Sequence, residues 1–128
     1  MGKIKGADKV EKALGSLELS KFRIVRQLCF EEKDTDGRVV QCVHLVLETE
    51  DTNPRVRAQF DFNGVSGLQV NKFGGGETRI VGFDIVDISD RHWQHLNWEV
   101  IDYEDGCLRF HCDTAQVTAL EVLQEPSP

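Results

Sequence analysis

Residues 55–63, with the sequence RVRAQFDFN, alternate strictly between polar and apolar side chains. A period of two puts Val56, Ala58, Phe60 and Phe62 on one side of an extended strand, with the polar residues on the other. Strands that bury one face and wet the other are typical of antiparallel sheets. The pattern therefore predicts an antiparallel strand whose apolar side faces the core.

The same period recurs along most of the chain, with tight turns between the segments. Asp36-Gly37 and Asp105-Gly106 are dipeptides that favour hairpin turns, because both of their residues tolerate positive φ, and Asn63-Gly64 marks a further turn. No helical pattern separates the strands, which excludes a parallel sheet built from alternating strands and helices. We predict strands over residues 22–30, 38–48, 55–63, 67–73, 79–87, 98–104, 107–112 and 115–123.

The predicted fold class is mostly β. It is an antiparallel meander that forms a two-layer sandwich or a partly closed, curved sheet, with one short N-terminal helix. The helix is predicted over residues 8–17, where Val10, Ala13, Leu14 and Leu17 form one apolar stripe. Such a helix is too short to cover a whole sheet, so two packed layers of sheet are the favoured arrangement.

Local signals predict the ends of that helix and the place of two strands. Asp8 followed by Glu11 resembles a capping box, and Gly15 is a typical helix stop. Residues 39–47 and 80–86 are apolar on both faces, so we expect both segments to be central strands.

The chain has the length of one domain. Its 128 residues are enough to bury a core without disulfides or metals. We therefore expect a single β-rich domain over residues 1–128, with a disordered tail at about residues 124–128.

Charge is distributed unevenly along the chain. Residues 81–128 hold 2 basic and 10 acidic side chains, whereas residues 1–80 hold 13 basic and 12 acidic ones, and the net charge is −7. An acidic surface repels phosphate, so we expect no nucleic-acid partner. A basic protein partner suits this charge, although acidic surfaces also serve solubility alone.

Four cysteines, Cys29, Cys42, Cys107 and Cys112, occur without a secretory signal, so we expect reduced thiols in a cytoplasmic protein. No apolar run approaches the roughly 18 residues of a membrane span, so no membrane association is expected.

The sequence contains none of the usual catalytic motifs, and we expect no catalytic residue, no cofactor and no metal. Cys107 and His111 would share a strand face about 13 Å apart, too far to form a nucleophile–base pair. His111 and Cys112 would point to opposite faces, which spoils a metal site. The alternative left open is a small enzyme or ligand-binding β domain with a cavity lined by histidine and carboxylates.

Residues 87–106, DISDRHWQHLNWEVIDYEDG, hold six carboxylates, two tryptophans and one tyrosine. Aromatic side chains among acids are typical of protein-binding surfaces, where the ring supplies contact area and the charges steer association. The competing interpretation is that the tryptophans are core residues and the acids a solvated rim. The candidate partner-binding residues are Asp87, Asp90, Trp93, Glu99, Asp102, Tyr103, Glu104 and Asp105. A homo-oligomer is also possible.

Three short segments carry a resemblance to a known group of proteins: FNGVSGL at residues 62–68, IVGFDIVDI at residues 80–88 and WEVIDYE at residues 98–104. In these the chain resembles small, β-rich, uncharacterised bacterial proteins grouped with immunity proteins of polymorphic toxin systems. The resemblance implies a cytosolic, non-enzymatic binder that neutralises a toxin domain. It brings no catalytic residues to this chain.

Overall fold

The computed structural model describes residues 4–92, 94, 96–104 and 106–123. The predicted tail at 124–128 lies outside these residues. One helix, α1 (Ala7–Leu14), comes first, and a 3₁₀ turn at Leu19–Lys21 follows it. The strands are β1 (Phe22–Thr35), β2 (Arg38–Thr49), β3 (Val56–Asn63), β4 (Ser66–Val70), β5 (Phe83–Asp87), β6 (Trp98–Asp102), β7 (Leu108–Cys112) and β8 (Thr114–Val122).

The strands form two antiparallel sheets of four strands each. The first sheet has the order β1-β2-β3-β8 and the second the order β4-β7-β6-β5. The predicted fold class is confirmed: the described chain is mostly β, its eight strands lie in two sheets, and the sheets do not close into a barrel. The two pairings between strands far apart in sequence, β3 with β8 and β4 with β7, join the halves of the chain.

The core lies between the two sheets. The alternating residues of β3 predicted to be buried are all fully inaccessible. Phe60 contacts Phe22 edge-on, with ring centroids 5.3 Å apart, and Phe62 contacts Phe110 of the second sheet at 5.0 Å. Such edge-to-face pairs add to the stabilisation that the burial of aromatic surface supplies.

Of the two segments predicted to be central strands, one is confirmed and one needs correction. Strand β5 lies at the edge of its sheet, although residues 80–86 were expected to be central. The segment is mostly apolar because Ile80, which is buried before the strand begins, adds to Phe83 and Ile85 on the one buried face of the strand. Strand β2 is internal in its sheet, but Val39 near its start is 53% exposed.

The helix also differs from its prediction. It begins after Gly6, which has φ of 82°, and no described side chain caps it, so the capping box is wrong. The predicted stop is confirmed, because Gly15 has φ of 84° and donates its N–H to the carbonyl of Glu11. None of the described helices is both long and apolar enough to cross a membrane.

Candidate functional site

A groove of about 630 Å³ lies between strand β5 and the opposite wall made by α1 and the segment that follows it. Its apolar lining residues are Ile4, Ala7, Leu17, Leu19, Phe83, Ile85, Trp98 and Tyr103. Its acidic ones are Asp8, Glu11, Glu18, Asp84 and Asp87, and no Lys, Arg or His of the described chain lines it. We call this site the acidic groove.

The helical wall of the acidic groove is held by close contact with β8. The N–H of Val117 donates to the carbonyl of Lys5 at 2.7 Å, and the next residue, Gly6, begins the turn into α1. A Cβ on Gly6 would overlap the Val117 carbonyl, and its positive φ also disfavours other residues. Glycine at this position therefore lets α1 pack against the sheet.

The opposite wall depends on a second glycine. Gly82 has φ of 81°, and its carbonyl accepts the N–H of Tyr103 at 3.0 Å. A Cβ on Gly82 would lie 3.2 Å from the Tyr103 nitrogen and 3.3 Å from that of Glu104, tighter than ordinary contacts. This approach places Tyr103 at the rim of the groove, where it is 59% exposed.

The floor of the acidic groove is apolar. Phe83 and Ile85 line the groove, yet they are almost wholly buried members of the core. Trp98 is half-buried, packs against the same core and lines the groove as well. An apolar floor below a rim of carboxylates suits a partner that presents apolar side chains together with basic ones.

The structure brings some of the predicted partner-binding residues to this site. Asp87 and Tyr103 line the acidic groove. Asp90 is exposed in the 3₁₀ turn Ser89–Arg91, and Glu104 is exposed beside Tyr103. Trp93 and Asp105, also predicted, lie outside the described residues.

Asp102 does not lie on the surface, so the expectation that it is exposed is wrong. Its side chain is 1% exposed. Its two carboxylate oxygens accept the backbone N–H groups of Cys107, at 3.0 Å, and of Leu108, at 2.8 Å. The carboxylate thus supplies acceptors for the chain that enters β7, and burial of these donors requires them.

Glu99 is likewise occupied within its own sheet. It is 7% exposed, and one of its oxygens lies 3.1 Å from Arg109 and 3.2 Å from His111. Both neighbours lie on β7, the strand paired with β6. Glu99 therefore joins the two strands and offers little charge to a partner.

A comparison with protein families matches most of the chain to one family. The sequence model of the family described as Immunity protein PIM8 matches residues 6–118. The chain belongs to the PIM8 immunity protein family. The resemblance to immunity proteins inferred from the sequence is confirmed, and the matched range includes every acidic residue of the groove. Comparisons with curated proteins and with solved structures gave no match.

In this PIM8 family member, sequence reasoning missed the acids of the helical wall and Asp84 of β5. Asp8, Glu11 and Glu18 are about 70 residues away from β5 in sequence, and only the packing of α1 brings them opposite that strand. Asp8 and Glu11 share a helix face by their spacing, which was the available signal. That signal was interpreted as capping.

A histidine with two carboxylates does occur in this immunity protein, but on the first sheet and outside the acidic groove. His44 Nδ1 lies 2.6 Å from Asp61, and its Nε2 lies 2.7 Å from Glu31. The hydrogen bond to Asp61, and then that to Glu31, hold the pKa of His44 above its ordinary value. Because both ring nitrogens are engaged, this arrangement gives no support to the alternative of a catalytic or ligand-binding cavity.

Within the described ranges, no group of three or more His, Cys, Asp and Glu side chains is arranged to hold a metal ion.

Proposed function

We propose that this protein is a cytoplasmic bacterial immunity protein that neutralises a toxin domain by binding it at the acidic groove. The observation that carries the proposal is the family match over residues 6–118. The groove supports this choice of binding site, because it joins an apolar floor to five carboxylates with no described basic residue beside them.

The two parts of the groove have different roles in this proposal. Exposed carboxylates attract a basic surface over several ångströms and raise the association rate. Buried apolar contacts act only at short range and slow dissociation. Tyr103, exposed at the rim, is the side chain that we expect to contribute most apolar area.

The proposed contact face differs from the one proposed on sequence alone. It keeps Asp87 and Tyr103 and adds the helical wall, with Asp90 and Glu104 as flanking residues. Trp93 and Asp105 remain candidates on their sequence alone. Glu99 and Asp102 are assigned to holding the second sheet together.

The proposed mechanism is occupancy rather than catalysis. A protein bound over a toxin domain stops it by covering the surface that the toxin uses or by holding it inactive, and neither route requires a reactive side chain. A basic toxin domain is the partner that the charge of the groove favours.

The test begins with the native host. The chain is used as bait in a lysate, the captured protein is identified by mass, and its gene is expressed in a laboratory bacterium with and without the chain. We expect growth to stop without the chain and to continue with it. A captured protein that is harmless, or that kills equally in both cultures, would exclude the immunity function.

Two variants with equal charge change locate the site. The groove-wall variant carries Asp8→Asn, Glu11→Gln and Glu18→Gln, and the control variant carries Glu32→Gln, Asp34→Asn and Glu121→Gln. All six side chains are exposed, and only the first three line the groove. We expect the groove-wall variant alone to lose protection against the toxin. Equal protection by both variants would place the binding site elsewhere.

A further inference from the structure

We propose that the acidic groove binds an extended, lysine- or arginine-bearing segment, which pairs with β5 as a fifth strand of the second sheet. This inference rests on the proposed toxin-binding function and adds the way in which the partner is held. Addition of a strand to an open sheet edge is a common mode of recognition, in which backbone hydrogen bonds supply affinity and side chains supply specificity.

Strand β5 differs from the other three sheet edges. Residues of the chain itself cover part of β1, where Val25 donates its N–H to Thr78 at 2.9 Å, and part of β8, where Lys5 bridges Gln116. The pairing of β4 is irregular, with a register shift before Gln69. By contrast, β5 pairs with β6 in regular register over five consecutive residues. The turn Leu19–Lys21 lies close to β5, but no described segment pairs with the outer side of the strand.

The hydrogen-bond pattern shows which backbone groups face the groove. The N–H of Ile88 donates to Asn97 at 2.8 Å, and Gly82 accepts from Tyr103 at 3.0 Å. Because an antiparallel ladder alternates, Asp84 and Val86 must also bond to β6. The backbone groups of the residues between them, which are Phe83, Ile85 and Asp87, then point outwards, and all three residues line the groove.

One of these outward groups has a local partner. The N–H of Ile85 donates to the side chain of Asp84 at 2.9 Å. Side chains that cover edge groups protect a sheet from uncontrolled pairing. An incoming carbonyl would replace this bond and release the Asp84 carboxylate towards a basic side chain.

Charge decides between a basic partner and a second copy of this chain. Asp84 and Asp87 lie on β5 itself, so pairing of two β5 edges would bring like charges together. Asp84 and Asp87 point to opposite faces of β5, so Lys or Arg side chains on one face of an added strand would meet one of these two carboxylates together with those of the helical wall. The charge of β5 therefore disfavours pairing between two copies of this chain and favours pairing with a basic segment.

The size of the groove is consistent with a short segment. Five residues of extended chain span roughly 17 Å, the length of β5. Alternate side chains of an added strand point to opposite faces, so one set can reach the apolar floor of the groove while the other set lies among the acids. The volume of the groove is about 630 Å³.

The test measures backbone amide exchange by NMR in the full, unaltered chain. The probe is an end-blocked heptapeptide of alternating lysine and valine, and its matched control replaces each lysine by glutamate. With the lysine peptide we expect exchange of the amides of Phe83 and Ile85, which point away from β6, to slow about tenfold or more. The amides of Asp84 and Val86, already bonded to β6, are expected not to change.

The results separate this inference from the proposed function. Protection that lacks the alternation, that appears on another strand, or that the glutamate peptide produces equally well would overturn strand addition. The same measurement on the chain bound to its captured toxin should show the same alternation. If the toxin is neutralised without it, the immunity function stands and strand addition is wrong. If the lysine peptide pairs with β5 but no toxin is neutralised, strand addition stands and the immunity function is wrong.

Discussion

Asp102 and Leu108 are joined by a buried hydrogen bond in which the Asp102 carboxylate accepts the Leu108 backbone N–H at 2.8 Å. The second carboxylate oxygen accepts the N–H of Cys107 at 3.0 Å. An acid that the sequence suggested for partner binding thus holds the connection between β6 and β7.

Asp102→Asn should therefore destabilise the fold. An amide has one acceptor oxygen, so one of the two buried N–H groups would face an NH₂ group and lose its partner. We expect the free energy of unfolding in urea to fall by about 2–3 kcal/mol. Glu104→Gln, at an exposed neighbour, should change it by less than about 0.5 kcal/mol. Equal stabilities of the two variants would contradict this role of Asp102.

The helical wall of the groove can be tested with two glycines that share one backbone conformation. Gly6 and Gly15 have φ of 82° and 84°, so replacement by alanine costs each about 1–2 kcal/mol in backbone strain. A Cβ at Gly15 meets nothing within 4 Å, whereas one at Gly6 overlaps the carbonyl of Val117. Gly6→Ala should therefore lower the melting temperature clearly more than Gly15→Ala. An equal loss would show that α1 is not closely packed against β8.

The stabilisation contributed by His44 should depend on pH. Hydrogen bonds to Asp61 and Glu31 raise the pKa of His44 in the folded state, so protonation favours folding. That stabilisation is fully present below the unfolded pKa of about 6.5 and is lost as the pH rises through the higher folded pKa. The two carboxylates stay ionised in this range, because the pKa values of Asp61 and Glu31 lie below their ordinary values.

The measurement is urea unfolding of the wild type and of His44→Gln at about pH 5.5 and about pH 9. The difference in unfolding free energy between the two proteins should be larger at the lower pH. A difference that is constant with pH, or larger at pH 9, would show that the charged histidine does not stabilise the three strands that it joins.

The cysteines should differ in reactivity. All four are unbridged, with Cys29 half-buried and the other three buried, and burial raises the pKa of Cys112 to about 12. Since the thiolate is the reactive form, we expect a thiol reagent to modify Cys29 first in the native protein and all four thiols after denaturation. Reductant should leave the melting temperature unchanged. A drop on reduction would reveal a disulfide and argue against a cytoplasmic location.

Binding kinetics should separate the acids of the groove from its aromatic rim. With the captured toxin, the groove-wall variant should associate about tenfold more slowly than the control variant at low salt. The difference in association rate between the two variants should disappear as added salt shortens the screening length below about 8–10 Å. Surface plasmon resonance at several salt concentrations would measure it, and a gap that persists at high salt would contradict steering.

Tyr103→Ala serves as the complementary variant in that series. Its ring is uncharged and 59% exposed, so its contribution is the apolar area that it buries on binding. We expect a faster dissociation rate with little change in association, at every salt concentration. An unaltered dissociation rate would exclude Tyr103 from the contact.

Local patterns were enough to predict the strands and several turns. Val56 and Phe60 occupy the core because a period of two assigns faces without reference to any partner strand. Gly15 ends the helix for an equally local reason, its left-handed conformation. The sheet to which a strand belongs is not local, and β5 was wrongly expected to be central because Ile80, which is buried before the strand begins, makes the segment mostly apolar.

The sequence by itself determined that this is a mostly β protein with an acidic C-terminal half, and its segments resembled those of immunity proteins. Only the tertiary structure decided which acids are exposed. Asp102 and Glu104 are two residues apart, yet one is buried against backbone N–H groups and the other is in water. Likewise, Glu11 and Asp84 line one groove because α1 packs against β8, which places it across the groove from β5. The period of a sequence pattern depends only on residues that are close together in the chain. The exposure of these acids depends on contacts between segments that are far apart in the chain, and no local pattern contains those contacts.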